Sequence, residues 1–273
     1  MREPLKVFIG YDDREPVAYH VLAHSILKWS SEPIGIYPVA KHQLRRDFTR
    51  TPGPTESTAF SLTRFMVPYL CGYEGAAIFM DCDMLCEADL NDLWFYILAS
   101  PDKSVFCCQH DYIPKDTVKF LGQPQTAYPR KNWSSFMLFN NTNCKALTPD
   151  YVNHASGLDL HRFYWTDEDK IGTLPLEWNW LCGEYPPNPH AHVFHYTNGG
   201  PWFPETASCD HAERWLMARD AAMGTSGSRC CACGAFHPVA NGLRGAVCYS
   251  CSYKKCEACG QFLACCACVR ERV

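Results

Sequence analysis

The feature that most constrains this chain is the unbroken apolar run Ala76-Ala77-Ile78-Phe79-Met80, which ends abruptly in Asp81-Cys82-Asp83. A strand of that composition has no solvent-facing side, so it must be covered on both faces. A sheet flanked by helices provides that cover. The surrounding sequence agrees. Residues 5–9 read as a first strand, with Gly10-Tyr11-Asp12-Asp13 as the loop after it. Pro16 suits the first turn of a helix, with Ala18, Leu22, Ile26 and Trp29 on one face. Residues 34–37, 105–108 and 136–139 read as further strands, and residues 63–70 as a helix. Strands alternating with helices predict an α/β domain with a largely parallel sheet.

The position of the acidic triplet gives it a use. Ligands of open α/β sheets bind outside the carboxyl ends of the strands. Two carboxylates two residues apart can both reach one hard cation, and Mg²⁺ or Mn²⁺ takes oxygen ligands that it can share with a diphosphate. Such a cation neutralises charge that builds on a leaving diphosphate. The plain alternative is a surface turn with two solvated aspartates, since Asp-x-Asp is common by chance. The cation reading asks for a nucleotide pocket and a third ligand elsewhere.

Several segments follow one another in a set order. Val7-Phe8-Ile9-Gly10-Tyr11-Asp12 opens the chain, and Arg64-Phe65-Met66-Val67-Pro68-Tyr69-Leu70 precedes the apolar run and its triplet. Asn132-Trp133-Ser134-Ser135-Phe136-Met137-Leu138-Phe139-Asn140 comes next, then Leu174-Pro175-Leu176-Glu177-Trp178-Asn179, then His195-Tyr196-Thr197-Asn198-Gly199-Gly200-Pro201-Trp202. This ordered set covers most of residues 5–203 and resembles the glycogenin-like, family-eight glycosyltransferases of the GT-A fold. The resemblance implies that Asp81 and Asp83 bind Mn²⁺ or Mg²⁺ through the diphosphate of a nucleotide sugar, with His195 as third protein ligand. It implies donor contacts from Ile9, Gly10, Tyr11, Asp12, Arg64, Ser134, Ser135 and Gly199. Within that set, Tyr11 and Asp12 meet the base or ribose, and Arg64 meets phosphate or sugar oxygens with its planar fork. A uridine diphosphate carrier is favoured. Bland roles stand beside these: His195 as a core histidine, Arg64 as a helix-pair residue, Trp178 and Trp202 as core.

Two departures bear on the acceptor. Gly199-Gly200 stands where the family's closing segment carries a lysine, and Asp167-Glu168-Asp169 differs from the family's Asp-Gln-Asp element. Glu177, between Leu176 and Trp178, is the expected acceptor-side carboxylate, partly buried with a raised pKa. Asp167 and Asp159 compete for that role, and a structural salt bridge is the plain reading of Glu177.

Charge and cysteine content divide the chain. Residues 1–225 carry 19 Lys+Arg against 27 Asp+Glu, whereas residues 226–273 carry 6 against 2. Ten of the 18 cysteines crowd into residues 230–268. The Gly/Ser-rich stretch near residue 224 reads as a connector. The expected organisation is therefore a transferase domain over 1–223, a linker over 224–229 and a cysteine-rich domain over 230–273. Asp210 with Glu213 predicts the start of a last helix in the body. In the tail, four Cys-x-x-Cys pairs, Cys230/Cys233, Cys248/Cys251, Cys256/Cys259 and Cys265/Cys268, suit two tetrahedral Zn²⁺ ions in a zinc-ribbon-like fold. Cys231 and Cys266 are left over, and the pairing is open. A segment this short cannot bury much core, so a metal staple is expected. Disulfides and iron–sulfur binding are the alternatives.

No signal peptide and no membrane-length apolar segment is apparent, so a cytoplasmic protein with no membrane partner is expected. The scattered cysteines of the body then read as reduced thiols. Two functional classes remain. One is a glycosyltransferase whose acceptor is a saccharide, a lipid-linked glycan, a protein or a hydroxymethylated base in DNA. The last gains weight from a basic tail able to contact nucleic acid phosphates. The other is a non-catalytic zinc adaptor on a degenerate transferase scaffold.

Overall fold

The run Ala76–Met80 forms β3, and all five of its residues are buried. This computed structural model describes residues 3–51, 58–112, 114, 118–119, 123–124, 129–224, 227–229 and 236–238. The chain divides into two units, Met1–Trp215 and Leu216–Val273.

In the first unit β1 (Leu5–Tyr11) leads into α1 (Pro16–Trp29) and then β2 (Ile34–Ala40). Proline at the amino end of α1 gives up a hydrogen bond the helix would not have made there. Ala18, Leu22 and Ile26 are buried as expected, together with Val21 and Ser25. Trp29 is not: it is the last helical residue, 44% exposed, with the Lys28 ammonium 5.8 Å from its ring. Residues 63–70 form a 3₁₀ turn, Thr63–Met66, continued by the single-turn helix α2 (Val67–Leu70). After β3 come β4 (Met84–Cys86), α3 (Trp94–Ala99), β5 (Val105–Cys108) and the short pair β6 (Val118–Lys119) and β7 (Gln123–Pro124). Then follow β8 (Phe136–Asn140), α4 (Pro149–His154), α5 (Gly157–His161), β9 (Ile171–Leu174), β10 (Trp180–Leu181) and β11 (Val193–His195).

The main sheet has six strands in the order β2-β1-β3-β8-β5-β9. All run parallel except β8, which is antiparallel to both β3 and β5. The α/β class with a mostly parallel sheet therefore holds. β3 and β5 are buried over their whole length and β8 over all but its last residue, as a sheet covered on both faces requires. A second sheet, β10-β11-β4, pairs β4 antiparallel with β11. It carries the chain on from the triplet and brings residue 195 beside it.

The body's buried cysteines, among them Cys82, Cys107, Cys108 and Cys144, are free thiols. Burial pushes the Cys107 and Cys144 thiols well up, so they pack as small hydrophobes. No helix among the described residues is long and apolar enough to cross a membrane.

Helix α6 (Ala212–Ala222) begins two residues after Asp210, and His211 before it adopts φ 60°. Residues 227–229, expected as connector, instead form β12 (Gly227–Arg229), antiparallel to β13 (Phe236–Pro238). Glycine and serine weaken a strand without barring it, and a partner supplies the ladder. The eight zinc-ligand candidates, Cys230, Cys233, Cys248, Cys251, Cys256, Cys259, Cys265 and Cys268, lie outside the described residues, as do Cys231 and Cys266.

Candidate active site

The triplet sits at the carboxyl end of β3, and three contacts fix it there. The Asp81 amide donates to the Ser135 carbonyl at 2.9 Å, so the turn entering β8 holds the exit from β3. The Tyr196 amide donates to the Asp83 carbonyl at 2.8 Å. The β4–β11 ladder sets His195 opposite Met84. His195, more than a hundred residues downstream, is thereby delivered to the triplet by backbone pairing.

Asp81, Asp83 and His195 each offer a ligand atom, and those atoms lie within 4.8 Å of one another. His195 Nε2 is 3.4 Å from Asp83 Oδ1. The buried Asp83 Oδ1 receives no hydrogen bond from the described residues. An orphaned carboxylate oxygen is costly in a protein interior and asks for a partner. Two carboxylates and an imidazole are a donor set that fits a divalent cation.

Arg64 is buried with its guanidinium against the rings of Phe60 and Phe79, at 5.5 and 5.0 Å. It donates to the Ser134 carbonyl at 2.8 Å and pairs with Asp81 Oδ1 at 2.9 Å. These contacts set Arg64 beside the first aspartate, where it orients Asp81. Ser134 Oγ lies 2.7 Å from His161 Nδ1, and Ser135 Oγ donates to the Asn132 carbonyl at 2.7 Å.

The first-strand residues implied for the donor have these surroundings. Ile9 is fully buried. A Cβ on Gly10 would lie 2.4 Å from the Phe60 ring, so glycine is needed there for packing. Tyr11 is half-buried, with its ring edge-on to Tyr19 at 5.6 Å. The buried Asp12 carboxylate accepts from Arg14 Nε and Nη2 at 2.9 and 2.6 Å and from the Ala59 amide at 3.0 Å. Burial pushes the Asp12 carboxyl up, but Arg14 and the amides of Arg14 and Ala59 outweigh it and hold it below its ordinary value. Gly199 turns the chain at φ 109°, a conformation that favours glycine.

The two carboxylates expected on the acceptor side separate. Glu177 is half-buried on the 3₁₀ turn Leu176–Asn179, just past the carboxyl end of β9 and on the same sheet edge as the triplet. Asp167 precedes β9 and is exposed. Because β9 runs in the same direction as β3, Asp167 lies at the opposite edge of the sheet. There it borders a cavity of about 530 Å³ with Asp102, Tyr164 and Lys170, and it shares no site with Asp81. Asp159 stands in the first turn of α5.

Three residues at the site escaped the reading of the sequence. Glu15 is buried, accepting from Trp202 Nε1 at 3.2 Å and from Cys82 Sγ at 3.5 Å. Burial, and then the charge of Asp83, push its carboxyl up to about 8. The other two are Asn179 and His110. Asn179 Oδ1 meets His195 Nδ1 at 2.9 Å, and Asn179 Nδ2 meets His110 Nε2 at 3.0 Å. Burial, and then His195, lower the His110 pKa to about 3. A signal was present for Asn179, which closes the Leu-Pro-x-x-Trp-Asn segment. Glu15 offered only its place before Pro16.

No protein-family model matches the chain. Solved structures similar in fold include the bifunctional glycosyltransferase WbbM, at 16% identity and a TM-score of 0.56 over 80% of this chain. The glycosyltransferase GlyE of Streptococcus pneumoniae TIGR4 gives 14% and 0.53, and an active-site mutant of LgtC gives 13% and 0.53, each over 80% of this chain. The match covers 50% of WbbM, 61% of GlyE and 96% of LgtC, so the chain spans less than two thirds of the first two. These likenesses establish the GT-A fold. A far nearer relative is Protein CDI of Arabidopsis thaliana, 44% identical over an alignment of 225 residues that covers 79% of this chain and 86% of that protein. At that identity and coverage, the chain belongs to the same family as Protein CDI.

Proposed function

We propose that this protein is a glycosyltransferase that moves a sugar from a nucleoside diphosphate sugar, with uridine diphosphate as the favoured carrier, to an acceptor hydroxyl. The observation that carries this reading is the Asp81–Asp83–His195 group at the carboxyl edge of a GT-A sheet, with Asp83 Oδ1 buried and orphaned. These three residues would hold Mn²⁺ or Mg²⁺. Bound there, the ion supplies charge neutralisation for the departing diphosphate.

The chain's own residues prepare the rest. Arg64, fixed between two phenylalanine rings, aims Asp81. Ser134 and Ser135 present the turn beside the triplet on the donor side. Glu15 ties Cys82, the middle residue of the triplet, to the indole of Trp202. Glu177 is the carboxylate we assign to the acceptor side, because it shares the triplet's sheet edge while Asp167 does not. A saccharide hydroxyl is the acceptor class we favour, and a hydroxymethylated base in DNA is an arm of the test. Structural zinc in the cysteine-rich tail belongs to the same proposal and is supported by the cysteine spacing alone.

The reading is tested by incubating the full chain with a panel of nucleotide sugars and Mn²⁺ and measuring released nucleoside diphosphate. Candidate saccharides and hydroxymethylated DNA are analysed by mass spectrometry in the same reactions. Release from one donor, abolished by Asp83→Ala, is expected. Release from none, or release that survives Asp83→Ala unchanged, contradicts the proposal.

A further inference from the structure

The three ligand side chains do not orient themselves. Asn179 is wholly buried on the turn after β9, and its side chain amide lies against His195, Ser135, Asn132 and His110. Its two ends can be told apart by what they face. Nδ2 lies 3.3 Å from the Asn132 carbonyl, a group that only accepts. It also lies 2.8 Å from Ser135 Oγ, whose own hydroxyl hydrogen is engaged by that same carbonyl. The amide nitrogen must therefore point this way, and Oδ1 must face His195 Nδ1 at 2.9 Å. An amide oxygen only accepts, so the His195 proton sits on Nδ1. Nε2 is left as a bare lone pair 3.4 Å from the orphaned Asp83 Oδ1. Two acceptors facing each other in a buried site is an arrangement a cation completes.

The far side of the amide is held too. His110, also buried, offers Nε2 to Asn179 Nδ2, and its Nδ1 reaches the Tyr185 hydroxyl at 2.9 Å. Buried polar groups that satisfy one another in a chain have one low-energy arrangement.

We propose that Asn179 is the positioning residue of the cation site, fixing the ring orientation and tautomer of His195 so that Nε2 faces the ion. The proposal rests on the cation reading given above. It follows the general rule that a metal-ligating histidine donates its other N–H to a fixed partner, and that loss of the partner costs about 10–100-fold in metal affinity.

The test uses the full-length protein and two readouts other than turnover. The first is the Mn²⁺ dissociation constant, from the electron paramagnetic resonance signal of free Mn²⁺. Asn179→Ala is expected to weaken binding by about 10–100-fold. Asn179→Asp keeps an acceptor for the Nδ1–H but sets a second acceptor against the Asn132 carbonyl, so it is expected to keep the His195 proton on Nδ1 while binding Mn²⁺ more weakly than wild type. The second is ¹⁵N-detected imidazole NMR of the metal-free protein, with His195 assigned by its loss in His195→Gln. Wild type is expected to carry the proton on Nδ1, and Asn179→Ala to show a mixture of tautomers. Wild-type Mn²⁺ affinity in folded Asn179→Ala overturns the proposal, as does loss of the Nδ1 proton in folded Asn179→Asp. A wild-type His195 protonated on Nε2 overturns it without any variant. If wild type shows no Mn²⁺ binding that Asp83→Ala removes, the cation reading itself has failed, a result separate from failure of Asn179's role.

Discussion

Glu15 and Gly10 show how much of this site is decided by single side chains. The Glu15 carboxyl has an ordinary value of 4.5, raised to about 8 by burial and then by Asp83. Between those values the folded chain keeps a proton that the unfolded chain has released. Stability from this group is therefore present at low pH and lost as pH rises, by about 1.4 kcal/mol per pH unit. Below pH 6.5, buried His110 acts in the opposite sense. Its folded value is lowered to about 3, so the unfolded chain takes up a proton that the fold refuses. The Glu15 limb should dominate between about pH 6.5 and 7.5, below the range in which the unfolded chain's thiols release protons that the buried ones keep. Urea denaturation across that range, in metal-free buffer, should show stability falling, and Glu15→Gln should flatten the fall. An unchanged slope in the variant would show that Glu15 does not hold the proton. At Gly10, a Cβ would meet the Phe60 ring at 2.4 Å. Gly10→Ala should cost about 1–3 kcal/mol through overpacking, read as a lower urea midpoint.

At the scale of elements, β3 was legible because its residues leave no polar position in the run Ala76–Met80. The helix at Pro16 was legible from its proline and its spaced apolar residues. The direction of β8 was not, because Phe136-Met137-Leu138-Phe139 carries no sign of polarity along the chain. The pairing of β4 with β11, which brings His195 beside the triplet, joins residues more than a hundred positions apart and leaves no local trace. The same holds for Glu15, whose partners Cys82 and Trp202 lie 67 and 187 residues away. Asp167 looked like Glu177 in sequence, and only the direction of β9 separates them. Asn179 went unassigned because a neutral amide gains its meaning from what it touches. The buried rings that seat Arg64 give this scale its own test. Phe79 has no exposed surface. Phe79→Ala should cost about 3–5 kcal/mol by removing core volume and one wall of the guanidinium's slot. A loss under 1 kcal/mol by urea denaturation would contradict the packing described.

For the whole molecule, membership in the family of Protein CDI and the GT-A fold frame the proposed transfer reaction. The cysteine-rich tail adds a question that its spacing raises and the described residues do not reach. Four Cys-x-x-Cys pairs predict two zinc ions per chain, measurable by elemental analysis of protein purified without added metal. One zinc or none would contradict the predicted pairing. In the body, Asp81, Asp83 and His195 are the cation site we propose for a nucleoside diphosphate. The measurement closest to it is isothermal titration of uridine diphosphate into the full chain, with and without Mn²⁺. Binding at one site that requires Mn²⁺ and disappears in Asp83→Ala is the predicted result. Binding of equal strength without Mn²⁺, or undiminished in Asp83→Ala, would contradict the account.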